Sequence, residues 1–128
     1  MENISVLTHD ETVDLDTEQL GALYAQLGES NADAVVCRAL EELANRLSLI
    51  ERSYYQSDFP ALAKAARGLV GIADQVGMKK LSVIAKTVAD LSKAGDAPAL
   101  SATLARLIRM GDRSLAAIWE VQDMNGAL

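Results

Sequence analysis

Few side chains of this sequence are of a type that acts as a nucleophile, a general base or a metal ligand. The chain has one histidine, His9, and one cysteine, Cys37. We expect His9, in an acidic leader, to be solvated, and Cys37, beside Val36 on a helix that buries one side, to behave as a small apolar residue. The carboxylates are scattered, with no His-rich cluster, phosphate-cradling glycine loop or Ser/His/Asp set. The sequence therefore predicts no catalytic residue, no metal site and no cofactor.

The segment from residue 59 to residue 78 has an unusual polar side. On a helical wheel of about 100° per residue, six residues fall opposite or beside the apolar stripe and are predicted to form an outer face: Lys64, Arg67, Gly68, Gly71, Gln75 and Met78. A glycine inside a helix lowers the stability of the helix by about 1 kcal/mol relative to alanine. The presence of Gly68 and Gly71 therefore calls for an explanation. They either clear space for a partner, or let a neighbouring helix of the same chain pack closely, or are merely tolerated.

The elements that must position this face are predicted to be helices. Alanine and leucine dominate, aromatic residues are 4% and there are two prolines, a composition that favours helix over strand. Apolar residues spaced by three and four predict five helices, each with one inward side. The inward residues are Leu20, Leu23 or Tyr24, and Leu27 in the first helix, and Val36, Leu40, Leu43, Leu47, Ile50 and Tyr54 in the second. They are Phe59, Leu62, Ala66, Leu69, Ala73 and Val76 in the third helix, Leu81, Ile84, Val88 and Leu91 in the fourth, and Leu100, Leu104, Leu107, Leu115 and Ile118 in the fifth. Breaks are predicted at Gly28, at residues 57–60, at Gly77 and at residues 93–98, and the last helix is predicted to end near Val121. We expect an all-α, antiparallel up-down four-helix bundle with a short extra N-terminal helix across one end.

Charge and length limit the function classes further. Residues 1–15 are predicted to be a flexible acidic lead-in to a single domain over residues 16–126. A net charge of −6 and a pI of about 4.7 argue against a nucleic-acid partner, whose phosphates would repel this surface. No basic-then-apolar leader and no run of about 18 apolar residues is present, so neither a signal peptide nor a membrane span is predicted. With a single cysteine, these features lead us to expect a cytoplasmic protein.

The run Ala66-Arg67-Gly68-Leu69-Val70-Gly71, followed by Gly77 and Leu81, resembles the signature of histidine phosphotransfer (HPt) domains. In that family the signature reads Ala-His-x-Leu-Lys-Gly, with a further glycine after it. The resemblance extends upstream through Asp58, Phe59, Leu62 and Ala63, and downstream through Ala85, Leu91, Gly95 and Asp96. It covers residues 16–120 in helix order. It implies a four-helix bundle of the kind that passes a phosphoryl group between receiver-domain aspartates through an exposed histidine. In that family, glycines leave room around the histidine.

The departures from this signature change the function that it implies. Arg67 stands at the histidine position, and an arginine keeps its proton above about pH 12, so it cannot act as the nucleophile. Val70 replaces the lysine that would help to neutralise a phosphoryl oxygen. The resemblance therefore implies a signalling module that is not an enzyme and binds a receiver domain, of a response regulator or of a hybrid histidine kinase. The implied binding residues are Lys64, Arg67, Gly68, Val70, Gly71, Gln75 and Met78, with Arg67 and Lys64 pairing with an acidic receiver pocket.

Two other functions stay open at this point. In the first, phosphotransfer survives through His9 or another acceptor. In the second, the bundle is a structural adaptor or a homo-oligomer unrelated to phosphorelay. Trp119 is then either an anchor at the end of the bundle or an exposed interface residue. Tyr54 and Tyr55 are predicted to close the end of the second helix.

Overall fold

The computed structural model describes residues 16–127, with side-chain burial described through residue 120. These residues form five helices: α1 (Thr17–Leu27), α2 (Glu29–Tyr55), α3 (Phe59–Gln75), α4 (Lys79–Ala94) and α5 (Ala97–Ala127). This range holds no strand, which confirms the all-α prediction. The predicted breaks separate the helices where expected, whereas α5 runs past the predicted end near Val121. His9 and the predicted lead-in lie outside the described residues.

The ends of α3 follow from local chemistry. The carboxylate of Asp58 accepts a hydrogen bond of 3.1 Å from the Ala61 amide, which satisfies one free N–H group of the first turn. At the other end Gly77 has a φ of +79°, and the Met78 N–H donates to the Ala73 carbonyl at 2.8 Å. This left-handed turn closes the helix and redirects the chain. The helix that carries the HPt-like motif therefore has a defined start and stop.

Each long helix packs against the next one along the chain. α3 lies between α2 and α4, α5 packs on α4 and returns to α2, and α1 packs on α2. Connections of two or three residues join the four long helices, and helices that pack side by side across such short connections run in opposite directions. In the part of the chain that the structure describes, no helix combines the length and the apolar composition that crossing a bilayer requires.

The inward stripes predicted from periodicity form one core. The following residues are buried as expected: Leu20, Val36, Leu40, Leu43, Leu47, Ile50, Leu62, Ala66, Leu69, Ala73, Val76, Leu81, Ile84, Val88, Leu100, Leu104, Leu107 and Ile118. Leu23, Tyr24, Tyr54, Leu91 and Leu115 are half-buried against them. The prediction for Phe59 was wrong, because its side chain is 40% exposed. Phe59 is the first residue of α3, and a helical side chain leans toward the N-terminal end of its helix.

A candidate partner-binding face on α3

Four of the residues singled out by the motif lie on the exposed side of α3. Lys64, Arg67, Gly71 and Gln75 are exposed, and Gly68 is half-buried. Residues three and four apart are neighbours on a helix surface, so Lys64, Arg67, Gly68 and Gly71 form one continuous patch. Arg67 is in the middle of the 17-residue helix, away from both ends.

Met78 does not belong to this patch. It is fully buried, with 0% of its surface exposed, which contradicts the prediction that it lies on the outer face. The wheel extended the helical period past Gln75, whereas Gly77 turns the chain and places Met78 immediately before α4. Val70 is half-buried and packs against the core, so it borders the patch.

Arg46 on α2 joins the patch from the neighbouring helix. A Cβ atom added to Gly68 would lie 2.8 Å from Arg46 Nη1 and 2.9 Å from its Cζ. The guanidinium therefore lies over the backbone of Gly68, in the space that a side chain would occupy. Arg46 Nε also lies 3.9 Å from Glu42 Oε2. We call the surface formed by Arg46, Lys64, Arg67, Gly68 and Gly71 the basic face.

The two glycines of the motif consequently have different surroundings. Gly68 makes room for Arg46 of the same chain, which is the close-packing explanation left open by the sequence. Gly71 has no atom within 4 Å of an added Cβ, outside its own helical neighbours. Close packing within the chain therefore does not explain Gly71, and its lack of a side chain leaves the surface beside Arg67 open.

Sequence reasoning missed Arg46 as a member of this surface. Periodicity placed it only outside the inward stripe of α2, and it follows Leu43 and precedes Leu47 at the edge of that stripe. A long basic side chain at the edge of a buried helix face often lies along the neighbouring helix. The helical wheel does not show which residue of the neighbouring helix this side chain contacts. That depends on how far α2 is shifted along α3.

A groove of about 260 Å³ continues the surface along the seam between α2 and α3. Arg38 and Glu42 line it from α2, and Ile72 and Gln75 line it from α3. Glu42 pairs with Arg46, so the groove and the basic face share an edge. A partner that contacts Arg67 thus meets a groove of mixed polar and apolar lining along the same helix pair.

The short helix α1 braces the C-terminal end of α3. The side-chain amide of Gln19 donates to the Asp74 carbonyl at 2.6 Å and to the Gln75 carbonyl at 3.4 Å, which helps to satisfy the last carbonyls of α3. The Asp74 carbonyl also accepts from the Gly77 N–H at 3.3 Å. Asp16 caps α1 by accepting from the Gln19 amide at 3.1 Å. That hydrogen bond, with a smaller contribution from nearby Lys79, holds the pKa of Asp16 below its usual value. α1 therefore fixes the end of the helix that carries the basic face.

The chemistry available on the basic face is binding of anionic groups. Within the described residues neither Lys64 nor Arg67 is in an ion pair, so both cations are available to a carboxylate or phosphate from outside. Arg67 has no lone pair to offer as a nucleophile at neutral pH. Between residues 16 and 120 no group of histidine, cysteine and acidic side chains is arranged to hold a metal ion.

The other residues considered in the sequence are not members of the basic face. Cys37 is half-buried. Tyr54 and Tyr55 are in edge-to-face contact at 5.8 Å between ring centroids, at the C-terminal end of α2. Trp119 is 49% exposed on α5.

Comparisons of the chain with protein-family models, with curated proteins and with solved structures found no match. The resemblance to HPt domains accordingly depends on the motif around Arg67 and on the helix order.

Proposed function

We propose that this protein is an HPt-like module that binds the receiver domain of a phosphorelay protein without transferring phosphate. The observation that carries the proposal is the exposed basic face, in which Arg67 stands where the HPt signature has its histidine. In that signature the acceptor is exposed on a helix and glycines leave room around it. Arg67 on α3, with the open surface at Gly71, has the same relation to its helix.

Charge supports an acidic partner. The chain has a net charge of −6, yet α3 has exposed cations at Lys64 and Arg67, and Arg46 reaches the same surface from α2. A receiver domain has a cluster of carboxylates around its phosphorylation site, as the HPt resemblance implies. A guanidinium binds a carboxylate through two parallel hydrogen bonds, so Arg67 is suited to occupy that acidic pocket where a phosphohistidine would otherwise enter.

The same substitution excludes Arg67 from phosphoryl transfer. A phosphoryl acceptor needs an unprotonated nitrogen, and the guanidinium does not lose its proton in the physiological range. The proposed role is therefore to occupy the receiver's binding site. The module would compete with a true HPt domain for the receiver, or sequester the receiver.

The proposal is tested by charge reversal on the face with a matched control. Wild-type protein, Arg67→Glu and Arg109→Glu are used to capture partners from lysate of the source organism, and any receiver-domain protein captured is then purified and titrated by calorimetry. Arg109 is exposed on α5 and undergoes the same charge change away from the basic face. Truncating or opposing a buried charge pair costs about 2–5 kcal/mol, so we expect Arg67→Glu to lose at least about tenfold in affinity. Wild-type affinity in Arg109→Glu completes the expected pattern. Equal affinity in Arg67→Glu, or no receiver captured by the wild type, contradicts the proposal.

A second candidate function is a structural adaptor or homo-oligomer that uses Trp119. Half of this large apolar side chain is exposed on α5, and tryptophan is common at the centre of protein interfaces. Light scattering coupled to size-exclusion chromatography separates the two functions. A stable dimer that reverts to monomer in Trp119→Ala, together with no receiver binding, favours the adaptor.

A further inference from the structure

A second charged surface lies on the opposite pair of helices. A groove of about 360 Å³ between α4 and α5 is lined by three cations, Lys79, Lys80 and Arg106, by two threonines, and by Val83 and Ile84. None of these seven described lining residues is acidic, although the chain is acidic overall. Val83 is 64% exposed, so the groove combines positive charge with an uncovered apolar side chain. Its ligand should carry both negative charge and apolar groups.

Asp16 lies at the edge of this groove. The Asp16 N–H donates to the Gly77 carbonyl at 2.8 Å, and Asp16 Oδ2 lies 3.6 Å from Lys79 Nζ. A Cβ atom on Gly77 would approach Asp16 Cβ and its carbonyl oxygen to 3.1 Å, so the two backbones are closely packed. Asp16 is therefore held one ion pair from the groove, and the sequence before it is joined to the groove's edge at that point.

The sequence directly before Asp16 has the chemistry that the groove requires. Residues 10–15 read Asp-Glu-Thr-Val-Asp-Leu, which is three carboxylates with two apolar side chains. The groove follows α4 from Lys79 to Thr87, a distance of about 12 Å at the helical rise. Six residues in an extended chain span about 20 Å, which is enough to reach its full length.

We propose that residues 10–15 are the ligand of this groove, with their carboxylates against Lys79, Lys80 and Arg106 and their apolar side chains over Val83. The tether makes a weak interaction sufficient, because a segment joined directly to its site has an effective concentration in the millimolar range. The segment would shield Val83 and neutralise the positive charge between α4 and α5. This surface is separate from the basic face, so the inference goes beyond the proposed function and does not depend on it.

The test uses the full chain and two double variants. Lys80→Glu/Arg106→Glu reverses two groove cations, and Arg52→Glu/Lys93→Glu makes the same change at exposed positions on α2 and α4 that do not line the groove. In the wild type, nuclear Overhauser effects are expected between the methyl groups of Val13 or Leu15 and those of Val83. The groove variant should lose them and the control should keep them. Cleavage after Glu11 by a glutamate-specific protease should be about fivefold faster in the groove variant than in the control, from two surface ion pairs lost.

Three results would overturn the inference. The first is the absence of contacts between the segment and Val83 in the wild type. The second is equal cleavage rates in the two double variants, once circular dichroism has shown that both fold. The third is contacts that weaken on dilution, because an occupant supplied by a second copy depends on protein concentration and a tethered one does not.

Discussion

Gly71→Ala should make the protein more stable and at the same time weaken the proposed binding to a receiver domain. Gly71 is inside α3 with helical backbone, is exposed, and has no atom within 4 Å of an added Cβ. Alanine therefore gains the helix propensity that glycine lacks, about 1 kcal/mol, without a clash. For a domain of this size that corresponds to a rise in Tm of about 4 °C. Urea unfolding followed by circular dichroism measures the free energy directly.

The comparison with Gly68→Ala makes the reasoning specific. There the new Cβ meets the guanidinium of Arg46 at 2.8 Å, so the end of that side chain must move, and we expect a smaller gain in stability than at Gly71. If Gly71→Ala is no more stable than the wild type, the backbone there is not the unstrained open helix described above. If it is more stable but binds a receiver with unchanged affinity, the open surface at Gly71 does not serve the partner.

Two further predictions concern the packing of α5 and the capping of α1. Gly111→Ala should lower the urea midpoint, because its Cβ would lie 2.6 Å from Cδ1 of buried Leu47. Overpacking costs about 1–3 kcal/mol, which we expect to outweigh the gain of about 1 kcal/mol in helix propensity. A more stable Gly111→Ala would show that this contact relaxes freely. The pKa of Asp16 is lower in the folded protein than in the unfolded chain, because Asp16 caps α1 and lies near Lys79. The charge of Asp16 therefore stabilises the fold at pH values above the unfolded pKa of about 3.9. This stabilisation is lost as the pH falls through the lower folded-state pKa. Asp16→Asn keeps a capping side chain, so the wild type should be the more stable at pH 7. The difference should shrink as the pH falls through the lowered pKa of Asp16, and a difference independent of pH would refute the role of the charge.

Much of the fold follows from local patterns in the sequence. Three-four spacing of apolar residues identifies which side of each helix is buried, as with Leu40 and Leu43 in α2 or Ile84 and Val88 in α4. Helix ends follow from Asp58 and Gly77, because a side-chain cap and a left-handed turn act within a few residues. These interactions are short in range, so they can be predicted without the tertiary structure.

The full membership of the basic face was decided by the tertiary structure. Lys64, Arg67 and Gly71 share one side of a single helix, so the sequence alone determined that they are neighbours. Arg46 joins them because α2 packs on α3 in one register, and Met78 leaves them because the chain turns at Gly77 before the helical period reaches it. Periodicity describes a helix as if it were isolated and endless. Which residues of two helices meet depends on how their side chains interdigitate across the seam, and that is a property of the packed bundle.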